Sequence, residues 1–441
     1  MTERRHGRRA PQGRGSRPSQ DSAGVPARRA ALRLLDAVLR RGLPLESALA
    51  QATADLANPS DRALARALAS TALRWLPDLD ALIDGATPRP LPSDSKARFV
   101  LRVALAGWLG LDTPPHAAVA TALSLVDGGP RRLVHGVLGA LTRAKVTLPP
   151  TPTLPPAVAA RWRQAWGEEA AAAASRLLAA QPPLDLTLRD PAETDRWAAA
   201  LDAISLAPGH LRRAPASDVV ALRGYADGAW WVQDIAASLP HRLLGAGEGR
   251  TVLDLCAAPG GKALGLAAAG WRVTAVDASE SRLARLRESA ERTGLTIDII
   301  TADLLAWEPP ASADAVLLDA PCSATGVFRR HPEVLHRVTP RVIAEQAELQ
   351  TRMLARAANW VRPGGRLIYA SCSLEPAEGE EIIARFLDGN STFTLDPPAP
   401  GELPAGVTPT PAGTVRVTPG TLEAQGGADG FFVARLRRKA D

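Results

Sequence analysis

Through residues 26–145, apolar positions recur at spacings of three and four. That period places them along one face of successive α-helices. "AALRLLDAVLRRG", "KARFVLRVALAGWLGL", "PHAAVATALSLVD" and "PRRLVHGVLGALTR" each carry it. "SDRALARALASTALRWLPDLDALID" reads as one continuous helix with Ser60 as its N-cap. An all-α bundle follows.

The proline-rich stretch "KVTLPPTPTLPPAV" at 145–158 suits neither helix nor central strand and reads as a linker. Beyond it come a helix over 157–179, a strand at "LDLTLR" and a helix at "AETDRWAAALDAI", the order of a small α+β module. "WWVQDIAASLPHRLL" (230–244) reads as a strand entering a helix against the next sheet. From Thr251 apolar runs alternate with helical patterns. "TVLDLC", "RVTAVDA", "IDIITAD", "ADAVLLDA" and "RLIYAS" predict strands, and 261–269, 280–293, 339–361 and 376–388 predict helices. Strand–helix alternation at this interval predicts an α/β domain with a doubly wound, Rossmann-like parallel sheet. Expected boundaries are a basic tail at 1–25, the bundle at 26–145, linker and small module at 146–240, and the sheet domain at 241–441.

Composition adds three constraints. With 441 residues, more than one core is expected. No apolar run reaches the roughly 18 residues that span a bilayer, and no apolar core follows the basic N-terminus as a secretory signal would require. Three cysteines, with no CxxC pair, cannot form a disulfide framework and suggest a cytoplasmic protein. The net charge of +6 is concentrated in residues 1–20, where six arginines face one glutamate. Such a tail attracts polyanions or simply aids solubility. Only four of the 52 basic residues are lysines, so Lys262 in a glycine turn asks for a reason.

The candidate chemistry clusters at predicted strand ends, where open α/β sheets bind ligands. "LDLCAAPGGKA" (253–263) ends one strand and opens a helix, and Pro259, Gly260 and Gly261 allow a tight turn and close backbone approach. Neither the dinucleotide fingerprint GxGxxG nor the Walker sequence is present. Asp277 ends the second strand, 17 residues after Gly260, where a carboxylate can accept ribose hydroxyls. Asp303 ends the third, suited to an adenine amine. The set points to a nucleoside cofactor without phosphates. Cys322 follows Asp319 in "LLDAPCSATG", and Cys372 sits in "IYASCS". Cys256, on the first strand, reads as packing. Arg329, Arg330, His331 and Arg337 in "GVFRRHPEVLHR" suit a phosphate backbone or a solvated helix face. His331 lacks a second ligand at metal spacing, so no metal is expected.

"ALASTALRWLPDLDALI", "WLGLDTPPHAAVATALSLV" and "RRLVHGVLGALTR" resemble the NusB family of RNA-binding helical domains, although His135 and Gly139 depart from its usual asparagine and arginines. "DLCAAPGGK", Asp277, Asp303, "DAPCSATGVFRRHPEV" and "YASCSLEPAEGEE" closely resemble the RNA cytosine methyltransferases of the NOL/NOP/Sun family. Ser371 and Gly379 stand where threonine and asparagine are usual. A NusB-like front end marks the RsmB type, which methylates carbon 5 of a cytosine in small-subunit ribosomal RNA. The resemblance implies S-adenosylmethionine held by Cys256, Ala257, Ala258, Pro259, Gly260, Gly261, Lys262, Asp277, Asp303 and Asp319.

Such chemistry needs a sulfur. Carbon 5 of cytosine attacks a sulfonium methyl only after a thiolate has added to carbon 6. Spacing does not choose between Cys322 and Cys372, since DNA cytosine methyltransferases use the Pro-Cys sulfur. The resembled RNA family uses the later one, which makes Cys372 the expected nucleophile and Cys322 the group that assists release. Asp319 is expected to hydrogen-bond the base or the cofactor's methionine end. Lys262 is expected to lower a thiol pKa or bind the cofactor carboxylate. The expected partner is an unpaired or opened RNA segment, met by a monomer without a membrane. The other classes are an RNA-binding assembly factor that keeps cofactor binding without turnover, and a nucleotide-dependent oxidoreductase, which lacks its glycine fingerprint.

Overall fold

A computed structural model describes residues 24–216 and 218–440. Apart from its last two residues, the basic tail expected over 1–25 lies outside the described residues. Seven helices form the bundle: α1 (Val25–Leu39), α2 (Leu45–Ala52), α3 (Pro59–Arg74), α4 (Leu76–Gly85), α5 (Lys96–Gly110), α6 (Pro115–Leu123) and α7 (Gly128–Ala144). Leu34, Leu35, Leu68, Leu73, Leu101 and Leu105 are fully buried at its centre. The helix expected to run unbroken from Ser60 is two. Trp75 leaves helical geometry between α3 and α4, with Pro77 in the first turn of α4, where its missing N–H costs nothing. The cap position belongs to Asn58, and Ser60 lies inside the first turn.

Helix α8 (Pro156–Ala179) follows the linker and breaks at Gly167, whose φ of 84° no helix accommodates. Strands β1 (Leu184–Leu188), β2 (Ile204–Ala207), β3 (His210–Arg213) and β4 (Trp230–Val232) form an antiparallel sheet in the order β2-β3-β1-β4, with α9 (Thr194–Leu201) against it. The strand expected to lead into the large sheet is therefore β4 of this small one. Helix α10 (Ile235–Arg242) leaves it, capped by Asp234, whose carboxylate accepts Ala236 N at 2.9 Å.

The large sheet holds β5 (Thr251–Leu255), β6 (Arg272–Asp277), β7 (Ile297–Thr301), β8 (Ala313–Asp319), β9 (Val361–Ser371), β10 (Phe393–Leu395), β11 (Val415–Val417) and β12 (Phe431–Arg438). Its order is β10-β12-β9-β8-β5-β6-β7, with β11 beside β12. Strands β5 to β9 pair in parallel, and β12 runs antiparallel to β9. Their connecting helices are α11 (Gly261–Ala268), α12 (Glu280–Thr293), α13 (Val334–Arg337), α14 (Pro340–Asn359) and α15 (Glu380–Gly389). Leu253, Leu255, Val316, Leu317, Leu318, Leu367 and Ile368 are buried, as continuous apolar strands covered on both faces must be. The pattern left β10 to β12 unread. In "FFVARLRR", Arg435 looks solvent-facing, yet it is buried and ion-paired with Glu402 at 2.9 Å and Asp396 at 3.1 Å.

A second buried arginine joins the modules. Arg329, expected to face phosphate or solvent, is 1% exposed. Its guanidinium meets Asp234 at 3.0 Å and Asp429 at 3.3 Å and donates to the Gly426 carbonyl at 2.7 Å. Arg330 pairs with the same two aspartates, and its side chain is one-third exposed. Neither cation is free for RNA. Asp234 comes from the end of the small module and Asp429 from just before β12, so one buried cation ties both to the loop after Cys322. Arg329→Ala strands two buried carboxylates and is expected to lose about 3 to 5 kcal/mol of stability, read from chemical denaturation. Arg330→Ala is expected to lose markedly less.

Candidate active site

From β5 the chain winds outward through β6 and β7, then returns to the other side of β5 as β8 and β9. The crevice where winding reverses lies at the carboxyl ends of β5 and β8, the binding position of open α/β sheets. The β5–α11 turn is built for close approach. Cys256 has φ 59° and Gly260 has φ 113°, and a Cβ at Gly260 would lie 2.4 Å from Leu286 Cδ1. Only glycine fits there. Ala257 and Ala258 are buried beside it, so this rim offers backbone rather than side chains.

Asp277 closes the crevice from β6. It accepts Ser279 N at 2.8 Å, Ala258 N at 3.2 Å and the exposed Arg282 guanidinium at 2.6 Å. It therefore braces the turn as well as ending the strand. Asp303 is exposed past β7 and accepts Leu305 N at 2.9 Å. Small backbone-lined turn, strand-end carboxylate and exposed acid fit an uncharged nucleoside.

At the other rim, Lys262 Nζ lies 2.6 Å from Asp319 Oδ2 and 5.4 Å from the Phe431 ring centroid. The lysine is nearly buried, at 12% exposure. Burial alone would lower its pKa, but the charges of Asp319 and Asp254 and the Asp319 hydrogen bond raise it, so the cation persists. Cys322 Sγ and Cys372 Sγ stand 3.4 Å apart. The mutual hydrogen bond and burial push Cys372 well above an ordinary thiol, and the Lys262 cation opposes them. Cys256 stays away from this pair, packed against the β-strand core, with its thiol pushed up by burial. His331 sits 3.4 Å from Glu333 rather than in the crevice. Among the described residues no cluster of three potential metal ligands occurs.

Two groups beneath the site gave no signal in the sequence reading. Glu378 is fully buried and receives four donors: Ser323 N at 2.8 Å, Gln350 Nε2 at 3.1 Å, Ser373 Oγ at 2.5 Å and Ser323 Oγ. Burial raises its pKa against those hydrogen bonds. The repeated Cys-Ser of "PCSA" and "SCSL" was the available clue. Asp254, on β5, is fully buried with neither carboxylate oxygen partnered, and burial pushes it up to about 8. Two cavities, of about 620 and 740 Å³, lie elsewhere, one in the bundle and one between the bundle, the small sheet and the Arg329–His331 segment.

Comparison with known proteins agrees with this geometry. The family model "16S rRNA methyltransferase RsmB/F" matches residues 241–437, and that of the NusB family matches 25–143. Ribosomal RNA small subunit methyltransferase B of Xylella fastidiosa is 35% identical over 94% of this chain and 98% of its own length. The protein of that name from Klebsiella pneumoniae is 33% identical over 94% and 99%. In fold, the crystal structure of PH0851 superposes with a TM-score of 0.73 at 23% identity, covering 94% of this chain and 99% of that one.

Asp254 makes the site's stability pH-dependent. Its folded pKa of about 8 stands above the unfolded value of roughly 3.9, so folding takes up a proton between those limits. Its contribution is present at low pH and is lost as pH rises through that window, by up to roughly 1.4 kcal/mol per unit. Asp254→Asn cannot titrate. In urea denaturation at successive pH values, the stability difference is expected to move steadily in favour of the asparagine variant from about pH 4 to 8 and then level off.

Proposed function

The chain belongs to the RsmB/F family of 16S rRNA methyltransferases, and from that membership we propose that it methylates carbon 5 of a cytosine in small-subunit ribosomal RNA through a transient Cys372–cytosine bond. It is an S-adenosylmethionine-dependent rRNA methyltransferase. The reaction on carbon 5 and the covalent bond are the finer reading. The observation that carries it is the pair of sulfurs 3.4 Å apart beside the Lys262–Asp319 ion pair.

Bound S-adenosylmethionine supplies an electrophilic methyl group at the crevice. Ala257, Ala258, Pro259, Gly260 and Gly261 would hold it by backbone, Asp277 and Asp303 by their carboxylates, with Cys256, Lys262 and Asp319 completing the rim. Cys372 rests as a thiol, because burial and Cys322 both disfavour its anion. The Lys262 cation favours the anion and so assists transfer of the thiol proton to the base's ring nitrogen as sulfur adds to carbon 6. Asp319, held by Lys262, would accept a hydrogen bond from the protonated ring nitrogen and so favour the form in which carbon 6 is more electrophilic. Carbon 5 then takes the methyl group and must lose its proton. Cys322, once its own proton has passed to solvent, would accept that proton as the Cys372–carbon 6 bond breaks.

A base that must reach these sulfurs is expected in an unpaired or opened RNA segment. We assign residues 26–145 to RNA binding, 146–240 to the linker and small module, and 241–441 to catalysis, in a cytoplasmic monomer. No helix among the described residues is long and apolar enough to cross a membrane. Cys322→Ala is expected to accumulate a denaturation-resistant RNA–protein adduct with its target RNA and cofactor, seen as a shifted band. Cys372→Ala is expected to transfer no methyl group and form no adduct. The opposite pattern would exchange the roles of the two cysteines.

A further inference from the structure

The sheet does not reach the reacting sulfurs. The β8–β9 ladder ends at the Asp319–Ala370 pair, followed by a last bond from Ala320 N to the Ala370 carbonyl at 2.9 Å. Cys322 and Cys372 both lie beyond that point, on separate loops, yet their sulfurs are brought to 3.4 Å. The Cys372 carbonyl is held by Gly326 N at 3.0 Å, but no backbone–backbone bond among the described residues holds Pro321, Cys322 or Ser323, so side chains must fix the Cys322 loop against it.

We propose that Glu378 is the positioning residue that fixes the two cysteines relative to each other, through the serine that follows each of them. Ser323 is held twice, by its N–H at 2.8 Å and by its hydroxyl, and that N–H belongs to the peptide joining it to Cys322. Ser373 is held by its hydroxyl at 2.5 Å, on the same carboxylate oxygen. One side chain therefore grips the residue after each sulfur-bearing residue. Its fourth donor, Gln350 Nε2, also bonds the Pro321 carbonyl at 2.8 Å, just before Cys322.

The grip is directional and complete. Four donors match the acceptor capacity of an ionised carboxylate, whereas an amide could accept at one oxygen only. Tyr369 Oη lies 2.9 Å from the Glu378 backbone carbonyl and 3.1 Å from Gln350 Oε1 and shares its one proton between them, which anchors the clamp to β9. Around it, Ser373 Oγ accepts Glu375 N at 3.1 Å and lies 3.3 Å from Thr325 Oγ1, and Gly326 N donates to the Cys372 carbonyl at 3.0 Å. A Cβ on Gly326 would sit 2.0 Å from the Gly430 carbonyl, so the two loops have no slack on that side. Glu378 does not itself touch either sulfur in this network. Its effect passes through the serines.

The consequence for turnover rests on the covalent reading above, but the geometric claim does not. Diamide closes two neighbouring thiols to a disulfide; each thiol loses one hydrogen and the diazene takes up both. Closure of Cys322 with Cys372, located by peptide mass spectrometry, thus reads their mutual placement without RNA or cofactor. In Glu378→Gln and in the Ser323→Ala/Ser373→Ala double variant, closure is expected to slow by about tenfold or more. kcat for methyl transfer is expected to fall by about 100-fold, with KM for RNA and cofactor affinity little changed. The serine variant removes only two hydroxyls, so it decides the matter even if Glu378→Gln folds poorly. Closure and kcat both within about twofold of the parent in the folded variants would overturn the proposal. Slowed closure together with no adduct in Cys322→Ala would leave the clamp standing and sink the covalent reading instead.

Discussion

Parallel pairing of β8 between β5 and β9 is the constraint on which the rest of this structure depends. Parallel strands end on the same edge, so the carboxyl ends of three neighbours deliver the glycine turn, Asp319 and the two cysteine loops to one crevice. These residues are spread from Gly260 to Cys372 in the sequence and share no local contact that would gather them. The pairing also explains the largely apolar character of the central strands, which are covered on both faces, with Asp254 as the buried exception. Function sits where the strands stop because the backbone there no longer has a ladder partner and is free to bind something else.

The same geometry makes charge expensive and so gives each ion pair a defined task. This chain uses arginine almost everywhere, and its buried arginines act as planar clamps. Arg329 bridges Asp234 and Asp429, and Arg435 bridges Glu402 and Asp396. Lys262 differs in kind. A compact ammonium on a flexible stem can hold Asp319, lie over Phe431 and still bias the charge of a neighbouring thiol. A guanidinium spread over several donors would fix its partners more firmly and leave less room for a substrate to enter. The rarity of lysine in the sequence was therefore a usable signal, and its position in the turn told where the signal pointed.

Much of the sheet domain was legible because its rules are local. The strands at Thr251, Arg272, Ile297, Ala313 and "RLIYAS" follow from apolar runs, and the glycine turn from residue type alone. What the pattern missed was decided by tertiary contact. Trp75 ends a helix whose hydrophobic period continues without interruption on both sides. Arg329 and Arg435 read as solvated in sequence, since nothing local reveals a carboxylate arriving from 95 or 33 residues away. Glu378 sits in an acidic stretch, "EPAEGEE", that resembles an exposed surface turn, and within it Glu381 is exposed and Glu380 is half-buried against Arg416. Burial separates it from them, and burial is not written in any window of the sequence. Asp254 is the extreme case, a charge type placed inside a strand and left without any partner.

The helical bundle touches the catalytic region at a telling place. His336 Nε2 donates to the Leu73 carbonyl at 2.7 Å, Arg74 donates to the Arg329 carbonyl at 3.1 Å, and Glu333 accepts Leu45 N at 3.3 Å. Burial lowers His336 to about 4, so its ring is neutral and the hydrogen bond carries no pH switch near neutrality. All three contacts fall within residues 329–336, the segment that directly continues the Cys322 loop. The Leu73 carbonyl lies in the last turn of α3, where intrahelical partners run out, and the Arg329 carbonyl lies in the turn before α13. The bundle and the catalytic loop thus complete each other's hydrogen bonding. A helical module that served only as an appendage could have been joined by a tether, whereas this one is built into the support of the segment that leads away from Cys322.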